Sequence, residues 1–305
     1  MQKEITKKDN KTIYSIHFDN LNDVYSYIKS NPPINSKVFE DPVSLGVPND
    51  FHGESLEKAI EYLFGGYNEE ELENFLSLNA SFSESINMET SGKSRIVRSL
   101  YAGMPLASLV AMGVPDCRIQ YVDDTDSTVR NIYFNLGYLG RTEEEQVINR
   151  GLAILYIVQA IEEKGDLVNF KAFSLSTVGD EIVNIEIDIK KPGDLFLDVA
   201  KCYFPIVGKE FLRRILFRIM ESLPVKELDW GQGYGEPPTA AFIRQFYGVS
   251  EKDIVIAEPS ELGIAGFSIY DDTISMIEKL GIEDEFDIPK IKEIKMNRNN
   301  RKSGY

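Results

Sequence analysis

The sequence predicts an α/β fold, with an open and mainly parallel sheet, an antiparallel edge hairpin, helices on both faces, and a small mainly helical N-terminal subdomain. Three observations favour this class. Of the 305 residues, 43% are hydrophobic, which is enough to bury a sizeable core. After residue 100, strand-like and helix-like patterns alternate, as they do in sheets with crossover helices. Residues 143–164 also carry a broad apolar helical face that ends at Gly165, a typical C-terminal cap.

The first 100 residues predict the N-terminal subdomain. Apolar and polar residues alternate over residues 12–18, which predicts a strand, and residues 20–29 have the pattern of a short helix. Ser55 is placed to cap a further helix, which ends at Gly65 and Gly66. Because residues 79–100 are rich in Ser and Asn and weakly periodic, we expect the boundary there. The predicted units are an α-rich subdomain over 1–100, an α/β domain over 101–287 and a basic tail over 288–305.

The second part of the chain predicts the sheet. Residues 168–173 and 182–189 are expected to form an antiparallel hairpin across the turn at Val178-Gly179-Asp180. Residues 182–189 place Val and Ile on one side and Asn, Glu and Asp on the other, which is typical of an edge strand with one solvated face. The remaining elements are strands over 118–122 and 253–257, and helices over 195–223, interrupted at Pro205, and over 271–280.

The charge balance narrows the range of partners. The chain has 33 Lys and Arg against 49 Asp and Glu, a formal net charge of −16, so duplex nucleic acid and anionic membranes are repelled. The basic residues between Lys290 and Lys302 form a local exception that suits phosphate or an acidic partner. We expect no membrane partner, because no run of about eighteen apolar residues occurs and residues 1–10 lack a signal core.

Few residues are available for histidine or cysteine chemistry. His17 and His52 are the only histidines, so few residues are available for a Ser-His-Asp centre and too few for a His-rich metal site. His17 alternates with residues of buried type on its strand, which favours a structural role. Cys117 and Cys202 lie far apart in the sequence and suit free thiols in a reducing cytoplasm.

An acidic loop follows the first predicted strand of the sheet. It reads Asp123-Asp124-Thr125-Asp126-Ser127, with carboxylate and hydroxyl oxygens at alternate positions, which hard divalent cations prefer. Open α/β sheets bind their ligands beyond the carboxyl ends of the strands. We therefore expect Mg²⁺ or Mn²⁺ at Asp123, Thr125 and Ser127. The alternative is an acidic turn in which these side chains bond to nearby backbone groups.

The motif Asp123-x-Thr125-x-Ser127 resembles the D-x-[ST]-x-S metal-adhesion motif of von Willebrand factor A domains. The order of elements is similar as well, with a motif strand, the long helix and then the hairpin, and the resemblance spans residues 116–280. It implies a von Willebrand A-like fold and further metal ligands from later loops. Thr239 and Glu258 are the nearest candidates for those ligands.

The whole chain is also similar to a family of phage and prophage proteins with no known activity. The resemblance implies a phage or prophage source, and the cytoplasm of a bacterial host as the location. The residues that carry it are Phe51-His52-Gly53-Glu54-Ser55 with Ala59 and Gly66-Tyr67, Tyr101-Ala102-Gly103-Met104-Pro105, Asn149-Arg150-Gly151, and Phe211-Leu212-Arg213-Arg214-Ile215-Leu216-Phe217.

Trp230 and Tyr234 are candidate partner-binding residues. They belong to a segment rich in Gly and Pro over 230–238, which predicts a turn-rich loop. Each side chain combines an apolar body with a polar tip, as is common at protein interfaces.

Two functions follow from these observations. We expect a non-catalytic interaction module, encoded by a phage or prophage, that binds a host or phage protein such as a defence complex, with a divalent cation completing the contact. The alternative is a Mg²⁺-dependent phosphoryl-transfer or phosphodiester hydrolase enzyme, in which a metal at the acidic loop polarises a substrate oxygen. A homo-oligomer is compatible with both functions.

Overall fold

A computed structural model describes most of the chain and confirms the α/β class with a mostly parallel sheet. The described residues are 1–8, 10–34, 43–49, 53–64, 67, 69–82, 95–99, 104–106, 109–110, 112, 117–122, 128–194, 196–225 and 237–302.

Strands and helices alternate along much of the chain. The strands are β1 (Gln2–Lys8), β2 (Lys11–Phe18), β3 (Arg95–Ser99), β4 (Met104–Pro105), β5 (Arg118–Val122), β6 (Val129–Asn135), β7 (Leu167–Val178), β8 (Glu181–Lys190) and β9 (Ile254–Ile256). The helices are α1 (Leu21–Ser30), α2 (Leu56–Tyr62), α3 (Glu69–Phe82), α4 (Glu144–Glu163), α5 (Val199–Val207), α6 (Phe217–Met220), α7 (Ala240–Tyr247), α8 (Ile269–Leu280) and α9 (Ile288–Lys302). A π-helical segment, Phe211–Leu216, leads into α6.

The main sheet has six strands in the order β1-β2-β8-β7-β6-β9. β6 pairs in parallel with β7 and with β9, and β2 pairs in parallel with β8, whereas β1 and β2, and β7 and β8, are antiparallel. The outer strand β1 is exposed along its whole length. The helix α4 connects the parallel strands β6 and β7 and provides the kind of crossover connection that the alternating sequence pattern predicts.

The hairpin of β7 and β8 is confirmed, but its prediction as an edge hairpin is wrong. The N-terminal strand β2 pairs along the other side of β8, from Thr12 opposite Glu181 to Phe18 opposite Ile187. A strand with one polar side looks the same in sequence whether it lies at an edge or inside a sheet with one open face. The pairing joins residues from both sides of the boundary expected near residue 100, and that division of the chain stays a prediction.

Helices cover the two faces of the main sheet unequally. One face packs on α4, with Phe134 and Ile185 of the sheet in the same core as Ile157 of the helix. The other face packs in part on α7, where Phe173 of β7 contacts the cluster around Ile243. Polar side chains of β2 and β8 lie on this second face and are partly exposed.

The strand predicted over 118–122 exists as β5, but it does not belong to the main sheet. It pairs antiparallel with β3 and β4 in a separate three-stranded sheet. The strand before the long helix is instead β6, in which Arg130 and Asn131 interrupt the apolar pattern. These side chains are paired in the fold, Arg130 with Asp166 (3.2 Å) and Asn131 with Asp253 (2.9 Å), so the strand accepts polar residues that its sequence alone makes improbable.

Capping residues set the ends of the helices near the carboxyl edge of β6 and β9. α4 begins with a capping box between Glu143 and Gln146, in agreement with the predicted start. Ser268 is the N-cap of α8, and its side chain accepts a hydrogen bond from the Asp271 backbone amide. Gly281 is the C-cap of this helix and has the left-handed conformation (φ 66°).

The predicted basic tail contains the docked helix α9. Ile291 is fully buried against the core, and Lys295 Nζ lies 2.6 Å from Asp271 Oδ2 on α8. Arg298 also donates a hydrogen bond to the Tyr270 hydroxyl (3.3 Å). Within the described residues, no helix combines the length and apolarity needed to span a bilayer.

Candidate functional site

The carboxyl ends of β6 and β9 lie side by side, because these strands are parallel neighbours. The loop after β6 spans residues 136–143 and the loop after β9 spans residues 257–268. We call these two loops the carboxyl rim. In open α/β sheets this edge is the usual place for ligands and partners, so the carboxyl rim is the first candidate for a functional surface.

Arg150 of α4 fastens both loops of the carboxyl rim. Its Nη1 donates to the Ala257 carbonyl (3.0 Å) and the Gly137 carbonyl (3.5 Å), and its guanidinium lies 4.8 Å from the centre of the Phe134 ring. The side chain is 1% exposed. Burial lowers the pKa of Arg150 to about 10, against the opposing influence of Tyr138 and Glu258. The group is therefore still a cation at neutral pH and acts as a fixed clamp on the loop backbone.

Asp272 of α8 fixes the end of the loop after β9. It is 2% exposed, and its carboxylate accepts hydrogen bonds from the Ala265 and Gly266 backbone amides (2.7 and 3.0 Å) and from Asn149 Nδ2 (2.7 Å). Gly266 has φ 84°, and a Cβ there would lie 3.1 Å from Gln146 Cγ. The loop is thus held by a buried anion and by a close backbone approach that favours glycine.

Phe267 follows this fixed turn and projects into solvent. It is 95% exposed, the highest value among the large hydrophobic residues that the structure describes. Ser268, the next residue, is the N-cap of α8. The backbone on both sides of Phe267 is therefore fixed, so an aromatic ring is displayed at the carboxyl rim from a rigid support.

The loop after β6 has further support from the π-helical segment. The guanidinium of Arg213 lies 5.0 Å from the centre of the Tyr138 ring, and the Tyr138 hydroxyl donates to the Lys209 carbonyl (3.5 Å). Burial raises the pKa of Tyr138, so it is neutral at physiological pH and keeps its proton for this hydrogen bond. No role for Arg213 at this surface was predicted, because its contact with Tyr138 joins distant parts of the chain.

The predicted metal loop connects β5 of the small sheet to β6 of the main sheet. Asp123, Thr125 and Ser127 lie outside the described residues, but both flanks are described. Val122 ends β5 in the small sheet, and Thr128 directly precedes the amino end of β6. The expectation that this loop follows a strand of the parallel sheet is therefore wrong. The catalytic alternative, which needs acids around Asp123, stays a prediction.

Of the other predicted site residues, the structure describes Thr239 and Glu258. Thr239 is exposed and caps α7, where its hydroxyl accepts from the Phe242 amide (3.3 Å). Glu258 is buried in the loop after β9, which belongs to the carboxyl rim, and accepts a hydrogen bond from the Ser260 hydroxyl. Both side chains thus have structural partners. The candidate partner-binding residues Trp230 and Tyr234 lie outside the described residues.

A different group of side chains is close enough to hold a metal ion. In the described part of the chain, three ligand atoms lie within 4.8 Å of one another, one each from His17, Asp19 and Asp188. This group was not predicted, because it depends on the pairing of β2 with β8. The signals were present separately, as His17-x-Asp19 at the end of one strand and Glu186-x-Asp188 on another.

The fold and the carboxyl rim define an α/β protein whose parallel strands end beneath a fixed, solvent-facing surface. The chain belongs to the family described as a domain of unknown function, DUF7192, whose family model matches residues 3–284. No curated protein and no solved structure matches the chain. The phage source and the von Willebrand A-like identity stay predictions.

Proposed function

We propose that this protein is an interaction module with a von Willebrand A-like core, which binds another protein through the carboxyl rim. The observation that carries the proposal is the exposure of Phe267 on a fixed loop. Aromatic side chains that fill a pocket of the partner supply much of the binding energy of protein interfaces. A ring on a rigid support loses little conformational entropy on binding, which favours affinity further.

The order of elements supports the proposed core. β6 takes the place of the motif strand, α4 follows it, and the antiparallel pair of β7 and β8 comes next. The last residue of β6 and the start of the next loop read Asn135-Leu136-Gly137-Tyr138, and the Asn135 side chain accepts from the Gly137 amide (3.0 Å). Asn135 thus offers an amide where the metal-adhesion motif has a carboxylate, so the proposed contact rests on the apolar ring of Phe267 and not on a cation at this position.

Photo-crosslinking tests the proposal. A benzophenone amino acid replaces Phe267 in one variant and Val47, which is 80% exposed on another loop, in a matched control. Both variants are expressed in a bacterial cytoplasm and irradiated, and crosslinked proteins are identified by mass spectrometry. We expect a discrete crosslinked protein from position 267 and not from position 47.

The affinity of the identified partner provides the second measurement. Phe267→Ala is expected to weaken binding about thirtyfold, the equivalent of about 2 kcal/mol, because it removes an interface anchor. Val47→Ala is expected to leave the affinity unchanged. Equal crosslinking from both positions, or equal affinity of both alanine variants, would overturn the proposal. Sedimentation of the purified protein tells whether the partner is a second copy of the chain.

A further inference from the structure

We propose that His17, Asp19 and Asp188 form a binding site for a divalent transition-metal ion such as Zn²⁺. The site lies on β2 and β8, and the strands β7 and β6 separate it from β9 and the loop after it. It is therefore independent of the proposed interaction through Phe267. Two of its residues lie within strands of a continuous sheet, which holds their backbones in fixed register.

The distances between the ligand atoms suit a small ion. His17 Nε2 lies 3.1 Å from Asp188 Oδ2 and 4.0 Å from Asp19 Oδ1. Zinc bonds of about 2.0–2.2 Å in tetrahedral geometry place ligand atoms roughly 3.3 Å apart. Of the three pairs, His17–Asp188 is already near that separation, and His17–Asp19 closes by less than about 1 Å when the partly exposed Asp19 side chain rotates. The third pair, Asp19–Asp188, lies within 4.8 Å. The second oxygen of Asp19 accepts from the Met1 amine (2.6 Å), which leaves Oδ1 directed towards His17.

The hydrogen bonding of the imidazole supports a metal at Nε2. The two ring nitrogens of His17 each face a carboxylate, because Nδ1 lies 3.5 Å from Glu186 Oε2 and Nε2 lies 3.1 Å from Asp188 Oδ2. A protonated ring donates to both carboxylates, whereas a neutral imidazole has one N–H and donates to one of them only. In the neutral ring, a metal at Nε2 satisfies the second contact, while the Nδ1 proton is donated to Glu186. Metal-binding histidines commonly have such a carboxylate at the opposite nitrogen.

Glu186 is itself held in place for this role. Lys171 Nζ lies 2.6 Å from its Oε2, and Asn184 Nδ2 donates to its Oε1 (2.7 Å). The carboxylate therefore remains charged and oriented towards the imidazole without being a ligand of the ion.

Lys191 marks the position of the cation. Its Nζ lies 3.5 Å from Asp19 Oδ1 and 3.4 Å from Asp188 Oδ2, the same two oxygens that face His17. The side chain is 47% exposed, so it can withdraw into solvent when an ion enters. The ammonium and the metal thus compete for one pair of oxygens, and removal of Lys191 should strengthen metal binding.

The donor set favours Zn²⁺ over Mg²⁺. Imidazole with two carboxylates suits zinc and its transition-metal neighbours, whereas Mg²⁺ prefers oxygen ligands in a near-ideal octahedron. Three protein ligands also leave a position for water, as in zinc sites that are not closed by a fourth side chain.

Calorimetric titration of the chelator-stripped full chain with Zn²⁺ tests the site. The chain provides a matched control, because His17 and His52 are its only histidines. We expect a single tight site that is lost in His17→Ala and retained in His52→Ala, with no comparable heat from Mg²⁺. The imidazole ¹⁵N signals, which come from these two residues alone, should show a shift of the His17 Nε2 resonance.

Conservative variants give a second measurement in which folding is preserved. Asp188→Asn should weaken Zn²⁺ binding about a hundredfold, and Glu186→Gln about tenfold to a hundredfold. Lys191→Met should strengthen it about tenfold. Circular dichroism and the Tm without metal confirm that each variant is folded. Retention of binding in His17→Ala, loss in His52→Ala, or unchanged affinity in Lys191→Met would overturn the proposal and identify the cluster as a purely structural ion-pair network.

Discussion

The carboxyl rim and the charged cluster on β2 and β8 use ionisable side chains in opposite ways. At the rim, Arg150 and Asp272 are 1% and 2% exposed, and they bond mainly to backbone groups of the loops. In the cluster, His17 and Lys191 are partly exposed, and they face the carboxylates of other side chains. Charged side chains that bond to backbone groups hold the loops of a surface in place. Charged side chains that face other charged side chains can exchange one partner for another.

This difference determines what each region can do. The buried ions of the rim have no solvent to replace a lost partner, so they fix loop positions and allow an apolar ring to project without collapse onto the core. The cluster keeps access to water, so a lysine ammonium and a metal ion are alternatives there.

The largest effect is expected for Arg150→Met. The variant leaves the Gly137 and Ala257 carbonyls without their donor and should destabilise the fold by about 3–5 kcal/mol in urea unfolding. Arg244→Met is the matched control, because Arg244 also donates to backbone carbonyls, those of Ser250 and Asp253, but at a partly exposed position. It should cost about 1 kcal/mol. Equal losses would contradict the contrast between buried and partly exposed clamps.

Asp272→Asn should have the next largest effect. Both carboxylate oxygens accept backbone amides, so an Asn side chain must turn its own N–H₂ group towards a backbone donor, at a cost of about 2–3 kcal/mol. The neighbouring Asp271 is exposed and pairs with Lys295, so Asp271→Asn should cost less than about 1 kcal/mol. Chemical denaturation compares the two variants. A similar loss of unfolding free energy in both would show that the buried carboxylate has no special role.

Glu186→Gln should have a smaller, pH-dependent effect. Burial alone raises the pKa of Glu186, but the hydrogen bond and charge of Lys171 outweigh it and hold the pKa below its ordinary value. A lowered folded-state pKa gives stability that is present above the unfolded-state pKa and is lost as the pH falls through the folded-state pKa. The free energy of unfolding of the wild type should therefore exceed that of the variant by at most about 1 kcal/mol at neutral pH.

The measurement for Glu186 is the difference in unfolding free energy across the acid range, in EDTA to exclude metal effects. The two proteins should converge at acid pH. A difference that grows as the pH falls would show that the Lys171 contact does not stabilise the charged carboxylate.

The smallest effect on stability is expected for Phe267→Ala. Because the ring is exposed, its removal should change the free energy of unfolding by less than about 0.5 kcal/mol. Phe286→Ala is the matched control, since this ring is buried in the core and its loss should cost about 3–5 kcal/mol. A large thermal destabilisation by Phe267→Ala would mean that the ring serves the fold instead of a partner.

Local patterns in the sequence predicted the elements that local forces determine. The long helix α4 and the hairpin of β7 and β8 were predicted because their periodicity and turn residues lie within one short stretch. β6 was missed because its polar residues are satisfied by distant ones, Arg130 by Asp166 and Asn131 by Asp253. No local pattern reveals such pairs.

The sites show the same limit more strongly. The acidic loop at Asp123 stood out in sequence because its acids are adjacent, whereas the His17 cluster depends on the pairing of two strands that lie far apart in the chain. Arg214 is a further example. Its side chain is fully buried and donates to the carbonyls of Glu54, Gly46 and Ser44, which lie far away in the sequence.

The outermost strands of the main sheet also affect how copies of the protein behave at high concentration. Free strand edges are templates for fibre growth, because their unpaired amides and carbonyls can recruit another chain. β1 presents Lys3, Glu4, Lys7 and Lys8 along an exposed strand, and β9 at the opposite edge has three residues. At the β1 edge, an incoming strand would meet charged side chains. At the β9 edge, the strand is too short to pair stably with another chain. Polymerisation through edge-to-edge pairing is therefore disfavoured at both edges of the main sheet.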